Sequence, residues 1–291
     1  SEMCIRDRLY KELLLAPENP AEKKAVAKDS PQFGRPFARS MILGCPVDQM
    51  TLDQCVGYFK DVIESERHCH IVVVNAAKVV KARRDPELKE VIKNADLIGA
   101  DGVPIVWASR LLSTPLPGRV NGTDLMHKLF DASAEHGWRL YLLGAKPDII
   151  QNVVENLRHE QPTINIVGYR HGYFDSLDDE IAAVNEINAA QPDILMLGFG
   201  TPMKEKWVKR HKHQLNTPII HGVGGSFDIV GGMTKRAPAW MQDSGLEWLY
   251  RLIQEPGRMW RRYLSTNTEF VWLVLRTWLT RLSHAPDSFS D

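Results

Sequence analysis

The chain has 291 residues, 44% of them hydrophobic and 25% charged, and its 36 Lys and Arg offset 36 Asp and Glu to a net charge of zero. That length allows a sizeable core in one large domain or two modest ones, and the composition excludes collagen, coiled coil and wholesale disorder. The neutral balance also argues against a dedicated nucleic-acid binder, so no nucleic acid is expected as a partner.

Residues 1–8 carry no functional weight, and residues 15–38 are rich in Pro, Ala and charge without a sustained apolar period. Residues 1–38 therefore read as a flexible N-terminal tail. The N-terminal stretch lacks the apolar core of a signal peptide. MILGCPVDQM, from Met41, suggests a short strand and turn, and Thr51 is placed to cap a helix over LDQCVGYFKDVIE. Strands are then predicted at 70–75, 95–100, 139–145, 164–169, 193–200 and 217–225, with helices at 85–94, 123–136, 146–160, 178–190 and 202–214. The helices carry start signals: Asp85 before Pro86, Thr123 before Asp124, and Pro147 and Pro202 at first-turn positions. Apolar strands alternating with amphipathic helices predict an α/β, Rossmann-like fold. Its sheet is mostly parallel and covered by helices on both faces. The catalytic domain is expected to span 39–244.

Residues 245–291 read differently. Within 246–281, Arg251, Arg258, Arg261, Arg262, Arg276 and Arg281 stand against only Glu247, Glu255 and Glu269, and five of the eight tryptophans fall between 240 and 278. Trp, Tyr, Leu and Arg mixed at helical spacing suit a helix lying in a lipid headgroup layer. The alternative is a basic amphipathic helix packed on the domain or on a second copy of the chain, which would make a homo-oligomer. No run of 18 apolar residues is present, so no spanning helix is predicted. The expectation is a cytoplasmic protein held peripherally on the inner face of the cell membrane. The four cysteines, Cys4, Cys45, Cys55 and Cys69, form no C-x-x-C pair and are expected as reduced thiols.

Several fingerprints are missing. G-x-G-x-x-G after the first strand, the P-loop, G-x-S-x-G, H-E-x-x-H and D-x-D are all absent. Their absence argues against a nicotinamide dehydrogenase, a P-loop nucleotidase, an α/β-hydrolase, catalytic zinc and a D-x-D metal–diphosphate site. No cofactor or metal is expected.

A parallel sheet places its ligand at the carboxyl ends of its strands, so the residues just past each strand matter most. Asp101 follows a strand in Ala100-Asp101-Gly102. Gly102 and Pro104 already supply a turn, which frees the carboxylate to face the cleft as a base. Arg119 and Asn121 in GRVNGTD precede a helix start, a place that favours anions. Gly200 and Lys204 in GFGTPMKEKW, and Gly224 and Gly225 in GVGGSF, form glycine turns whose amides suit a diphosphate. Each has a structural alternative: Asp101 as a cap, Arg119 as a solvated loop arginine, the glycines as tight packing. His221 reads as a satisfied buried histidine. These residues point to nucleotide or nucleotide-sugar chemistry near a membrane.

Together, VVVNAAKVVKARRDPELKEVIKNADLIGADGVPIVWASR, GRVNGTDLM, GFGTPMKEKW, GVGGSFDIVGG, KRAPAWMQDSGLEWLYRL and EPGRMWRRY resemble the WecG/TagA/CpsF glycosyltransferases over about residues 41 to 265. The resemblance implies a metal-independent, inverting transfer. A sugar, often of the N-acetylmannosamine type, would move from a UDP donor to a polyprenyl-diphosphate-linked sugar during cell-surface polysaccharide synthesis. It implies Asp101 as base, Asn75 beside the donor sugar or acceptor, and Arg119 against the diphosphate. Where the family carries threonine two positions before that asparagine, this chain has Val73. Where the family often has P-x-Q-E, it has Pro202-Met203-Lys204-Glu205, so Lys204 is expected to meet the diphosphate or donor sugar. Arg258, Arg261 and Arg262 resemble the membrane-targeting appendage and would meet anionic lipid and the acceptor diphosphate. The alternative is a catalytically inactive membrane scaffold of a polysaccharide assembly complex.

Overall fold

In the computed structural model, which describes residues 35–282, eight strands are interleaved with single or paired helices from residue 39 to residue 222. β1 (Arg39–Ile42) and β2 (Cys45–Asp48) pair as an antiparallel hairpin. The buried Asp48 accepts from the Ile98 amide at 2.7 Å, which ties the hairpin to the main sheet. Thr51 caps α1 (Leu52–Glu64) in a capping box with Gln54, and Cys55, Phe59 and Val62 turn inward at helical spacing. The main sheet has six parallel strands in the order β4 (Leu97–Ala100), β3 (Cys69–Val74), β8 (Ile219–Gly222), β7 (Ile194–Gly198), β5 (Leu140–Gly144), β6 (Ile166–Arg170). This is the predicted α/β, Rossmann-like class.

Alternate side chains of each central strand enter opposite cores. Ile71, Leu97, Leu140, Leu142, Ile194, Met196 and Ile219 join Phe59, Met126, Leu129 and Val153 on one face, under α1, α5 (Gly122–His136) and α6 (Pro147–Glu160). On the other face, Val72, Val74 and Ile98 pack beneath α2 (Ala76–Ala82), α3 (Pro86–Lys93) and α4 (Val103–Leu111). Further along that face, Tyr141, Leu143, Leu195 and Leu197 lie beneath α7 (Leu177–Ala190) and α8 (Met203–His211). Both faces being covered is why these strands read as continuous apolar runs.

Three short helices follow β8: α9 (Ser226–Val230), α10 (Ala239–Asp243) and α11 (Glu247–Gln254). The long α12 (Pro256–Leu282) returns along the molecule. Its Phe270, Leu273 and Val274 join the core shared with α2. Val271, Trp272, Leu275 and Leu279 stay exposed on its outer side. No helix of the described residues is long and apolar enough to cross a membrane.

Most predicted elements are present within a few residues, but one cap differs. Asn121, not Thr123, caps α5, and the Thr123 hydroxyl bonds the Ser226 hydroxyl at 2.8 Å instead. The expected tail lies almost wholly outside the described residues.

Candidate active site

The carboxyl ends of β3, β4, β7 and β8 open into one cleft of about 280 Å³. This is where a doubly wound sheet leaves a crevice, because crossovers depart to both sides. Eight of the residues singled out in the sequence line it: Asn75, Asp101, Arg119, Asn121, Gly200, Lys204, Gly224 and Gly225.

Asp101 lines it immediately after β4. The turn after β4 is made by Gly102, whose φ of 92° is reached without strain only by glycine, so Asp101 is not needed as a cap. Its Oδ1 accepts from Asn121 Nδ2 at 2.9 Å, and its Oδ2 accepts from Asn75 Nδ2 at 3.3 Å. Neither asparagine can swap its amide ends. Asn75 Oδ1 caps α2 by accepting from the Lys78 amide at 3.0 Å, and Asn121 Oδ1 caps α5 by accepting from the amides of Thr123 and Asp124. A helix amide can only donate, so each carboxamide must turn its oxygen to the helix and its nitrogen to Asp101. The carboxylate is fixed from both sides, and each oxygen keeps acceptor capacity for a third group.

Below it lies a buried ionic floor. The Lys78 ammonium donates to the Val73 carbonyl and pairs with Glu205 Oε1, each at 2.7 Å. Lys204 Nζ sits 3.7 Å from the same oxygen and donates to Thr201 Oγ1 at 3.1 Å. Burial alone would raise the Glu205 carboxyl, but Lys204 and Lys78 outweigh it and hold the group at about 2. Lys204 reaches the cleft past Gly222, where an added Cβ would meet its Cδ at 2.5 Å. His221 is fully buried and its Nε2 lies 3.1 Å from the Gly122 carbonyl. Burial pushes it down to about 4, so it is neutral and donates that bond. Val73 fills the floor beside Gly122 with methyl groups.

Residues beyond 240 form the roof: Gln242, Gly245, Glu247, Trp248, Arg251 and, from α12, Asn267. Arg119 Nη1 donates to the Gln242 carbonyl at 2.9 Å, and its Nη2 lies 3.5 Å from Asp124. Arg236 pairs with Asp124 as well. Glu247 Oε1 lies 3.4 Å from Arg251 Nη2. Burial raises the Glu247 carboxyl, Arg251 opposes this, and Asp101 reinforces it. A border at 244 therefore runs through the cleft. Arg258, Arg261 and Arg262 lie on the first two turns of α12, and their side chains fall outside the described residues.

The sequence reading missed Lys78, Glu205, Glu247 and Arg251. The i,i+4 spacing of Glu247 and Arg251 was the available signal for the last two. Among the described residues, no three His, Cys, Asp or Glu side chains are grouped to hold a metal ion.

The model of the WecG/TagA/CpsF family of glycosyl transferases matches residues 40–284. A Bacillus subtilis (strain 168) protein is 35% identical over 206 residues, covering 71% of this chain and 79% of its own. A Bacillus spizizenii protein is 33% identical over 214 residues, covering 74% and 81%. A Staphylococcus aureus (strain MW2) protein is 32% identical over 226 residues, covering 77% and 88%. All three are named N-acetylglucosaminyldiphosphoundecaprenol N-acetyl-beta-D-mannosaminyltransferase.

Proposed function

The chain belongs to the WecG/TagA/CpsF glycosyl transferase family, and from that premise we propose that it moves an N-acetylmannosamine-type sugar from a UDP donor to N-acetylglucosamine carried on a polyprenyl diphosphate, with inversion and without a metal ion. The acceptor follows the names of the relatives; the donor nucleotide follows the family. One observation carries the reading: a single carboxylate, Asp101, is held between two locked amides at the strand ends.

In this reading Asp101 takes the proton of the acceptor hydroxyl as its oxygen attacks the anomeric carbon. The bond from that carbon to the diphosphate breaks, and UDP leaves with the electron pair. Its growing charge is met by Arg119 and Lys204, and by the amides of Gly200, Gly224 and Gly225. Asn75 and Asn121 keep the carboxylate on line. Val73 offers the sugar a methyl surface in place of a hydroxyl.

The acceptor is lipid-borne, so the protein would sit on the inner face of the membrane. The exposed face of α12, with Trp272, Leu275 and Leu279 beside Arg276, supports that placement. Arg258, Arg261 and Arg262 would add attraction to anionic headgroups, about 1 kcal/mol each. UDP release from a panel of UDP sugars, with a synthetic prenyl-diphosphate N-acetylglucosamine as acceptor, tests the assignment. Release with UDP-N-acetylmannosamine that requires the acceptor supports it. No release with any donor would leave an inactive scaffold.

A further inference from the structure

The cleft holds a second carboxylate that the reaction above does not use. Glu247 lines the roof on α11, its side chain 18% exposed. It faces Arg251 on its own helix, Arg236 on the segment before α10, Asp124 on α5, and Asp101 across the cleft. We propose that Glu247 is a specificity residue that accepts a hydrogen bond from a hydroxyl of the acceptor sugar next to the one Asp101 deprotonates. The inference rests on the transferase reading and adds to it the group that recognises the acceptor.

Charge decides which part of the substrates Glu247 can touch. A diphosphate is repelled by a carboxylate, whereas sugar hydroxyls donate to one. Lys204, the second residue of α8, follows β7, three places across the sheet from β4, the strand that Asp101 follows. The end of the cleft where Asp101 and Glu247 face each other is therefore the sugar end. Burial raises the Glu247 carboxyl, which further suits it to a neutral hydroxyl. Position separates acceptor from donor. Glu247 belongs to the segment that runs directly into α12, whose exposed apolar face marks the side from which a lipid-borne acceptor arrives. Its neighbour across the cleft is the residue that must touch the acceptor hydroxyl.

The test is initial-rate kinetics on the full chain with UDP-N-acetylmannosamine and prenyl-diphosphate N-acetylglucosamine. Glu247→Gln and Glu247→Ala are compared with the unaltered protein. Each is also run on acceptors lacking one hydroxyl other than the one glycosylated. Loss of a hydrogen bond to a charged group predicts a fall of about 10- to 100-fold in kcat/KM for the acceptor in Glu247→Ala. UDP affinity, the check on folding, should stay within about twofold. On one deoxy acceptor the penalty of Glu247→Ala should vanish, since the partner is already gone. An unchanged acceptor kcat/KM overturns the inference. So does an equal loss on every analogue with the donor KM moving in step, the mark of a residue that only props Arg251. If the unaltered protein transfers but shows either result, Glu247 alone fails; if it turns over no donor, the transferase reading fails and this inference with it.

Discussion

Asn121 and Asp101 are locked together by the helix that Asn121 caps. Its oxygen is committed to the amides of Thr123 and Asp124, so its nitrogen has only Asp101 to address, at 2.9 Å. One side chain thus joins the stability of α5 to the aim of the carboxylate. Asn121→Ala should lower stability by about 1 kcal/mol through the lost cap. It should also cut transfer about 10-fold or more by freeing Asp101. Asn121→Asp keeps a cap acceptor with a charge favoured at a helix start, but sets a carboxylate against Asp101. It should unfold near the native temperature and still transfer poorly. Thermal melts and UDP-release rates on both variants check the two effects separately.

The Lys78–Glu205 pair should matter more to stability than any surface pair. Both side chains are almost fully buried. Glu205→Ala would leave the Lys78 ammonium uncompensated, at a cost of about 3–5 kcal/mol. The pH sign follows from the depressed carboxyl, held at about 2 against an ordinary value of 4.5. Its contribution is complete above the unfolded value and is lost as the pH falls from 4.5 toward about 2. Urea unfolding at stepped pH should show this loss in the native chain and its absence in Glu205→Gln.

Lys204 stands where the family often carries glutamine, and its ammonium lines the cleft. If it meets the diphosphate, Lys204→Gln should weaken UDP binding about 10-fold, and the loss should shrink as salt rises. Titration calorimetry with UDP at two ionic strengths checks both parts.

The outer face of α12 gives a cleaner membrane test than truncation, because residues beyond 244 also roof the cleft. Trp272, Leu275 and Leu279 are each about half exposed. Burying a large apolar side chain in lipid contributes about 1.5–3 kcal/mol. Changing all three to Ser should lower binding to anionic vesicles by well over about 10-fold and leave UDP affinity alone. Co-sedimentation and UDP titration read the two outcomes.

The parts that were legible in the sequence depend on local pattern. Strands buried on both faces must read as apolar runs, and a parallel sheet must put its site where those runs end. That reasoning led to Asp101, Asn75 and the glycine turns. What was missed depends on distant partners. Lys78 and Glu205 are 127 positions apart in the chain, and only the fold brings them together as a buried pair. Glu247 and Arg251 sit in a basic, tryptophan-rich stretch that reads as a surface. They enter the cleft because α10 folds back and the Gln242 carbonyl meets Arg119. α2 and α4 escaped notice because AAKVVKA and VPIVWASRL are short and largely buried, and show little amphipathic contrast. The Thr123 cap was misplaced by one competing acceptor, Asn121, two residues earlier.

The most direct measurement is single-turnover transfer by Asp101→Asn from UDP-N-acetylmannosamine to the prenyl-diphosphate acceptor, with UDP affinity measured on the same sample. Asparagine keeps the shape but loses the base. The account predicts transfer slowed by about 100-fold or more, with UDP bound as before. Transfer at the native rate with UDP still bound would show that another group takes the proton.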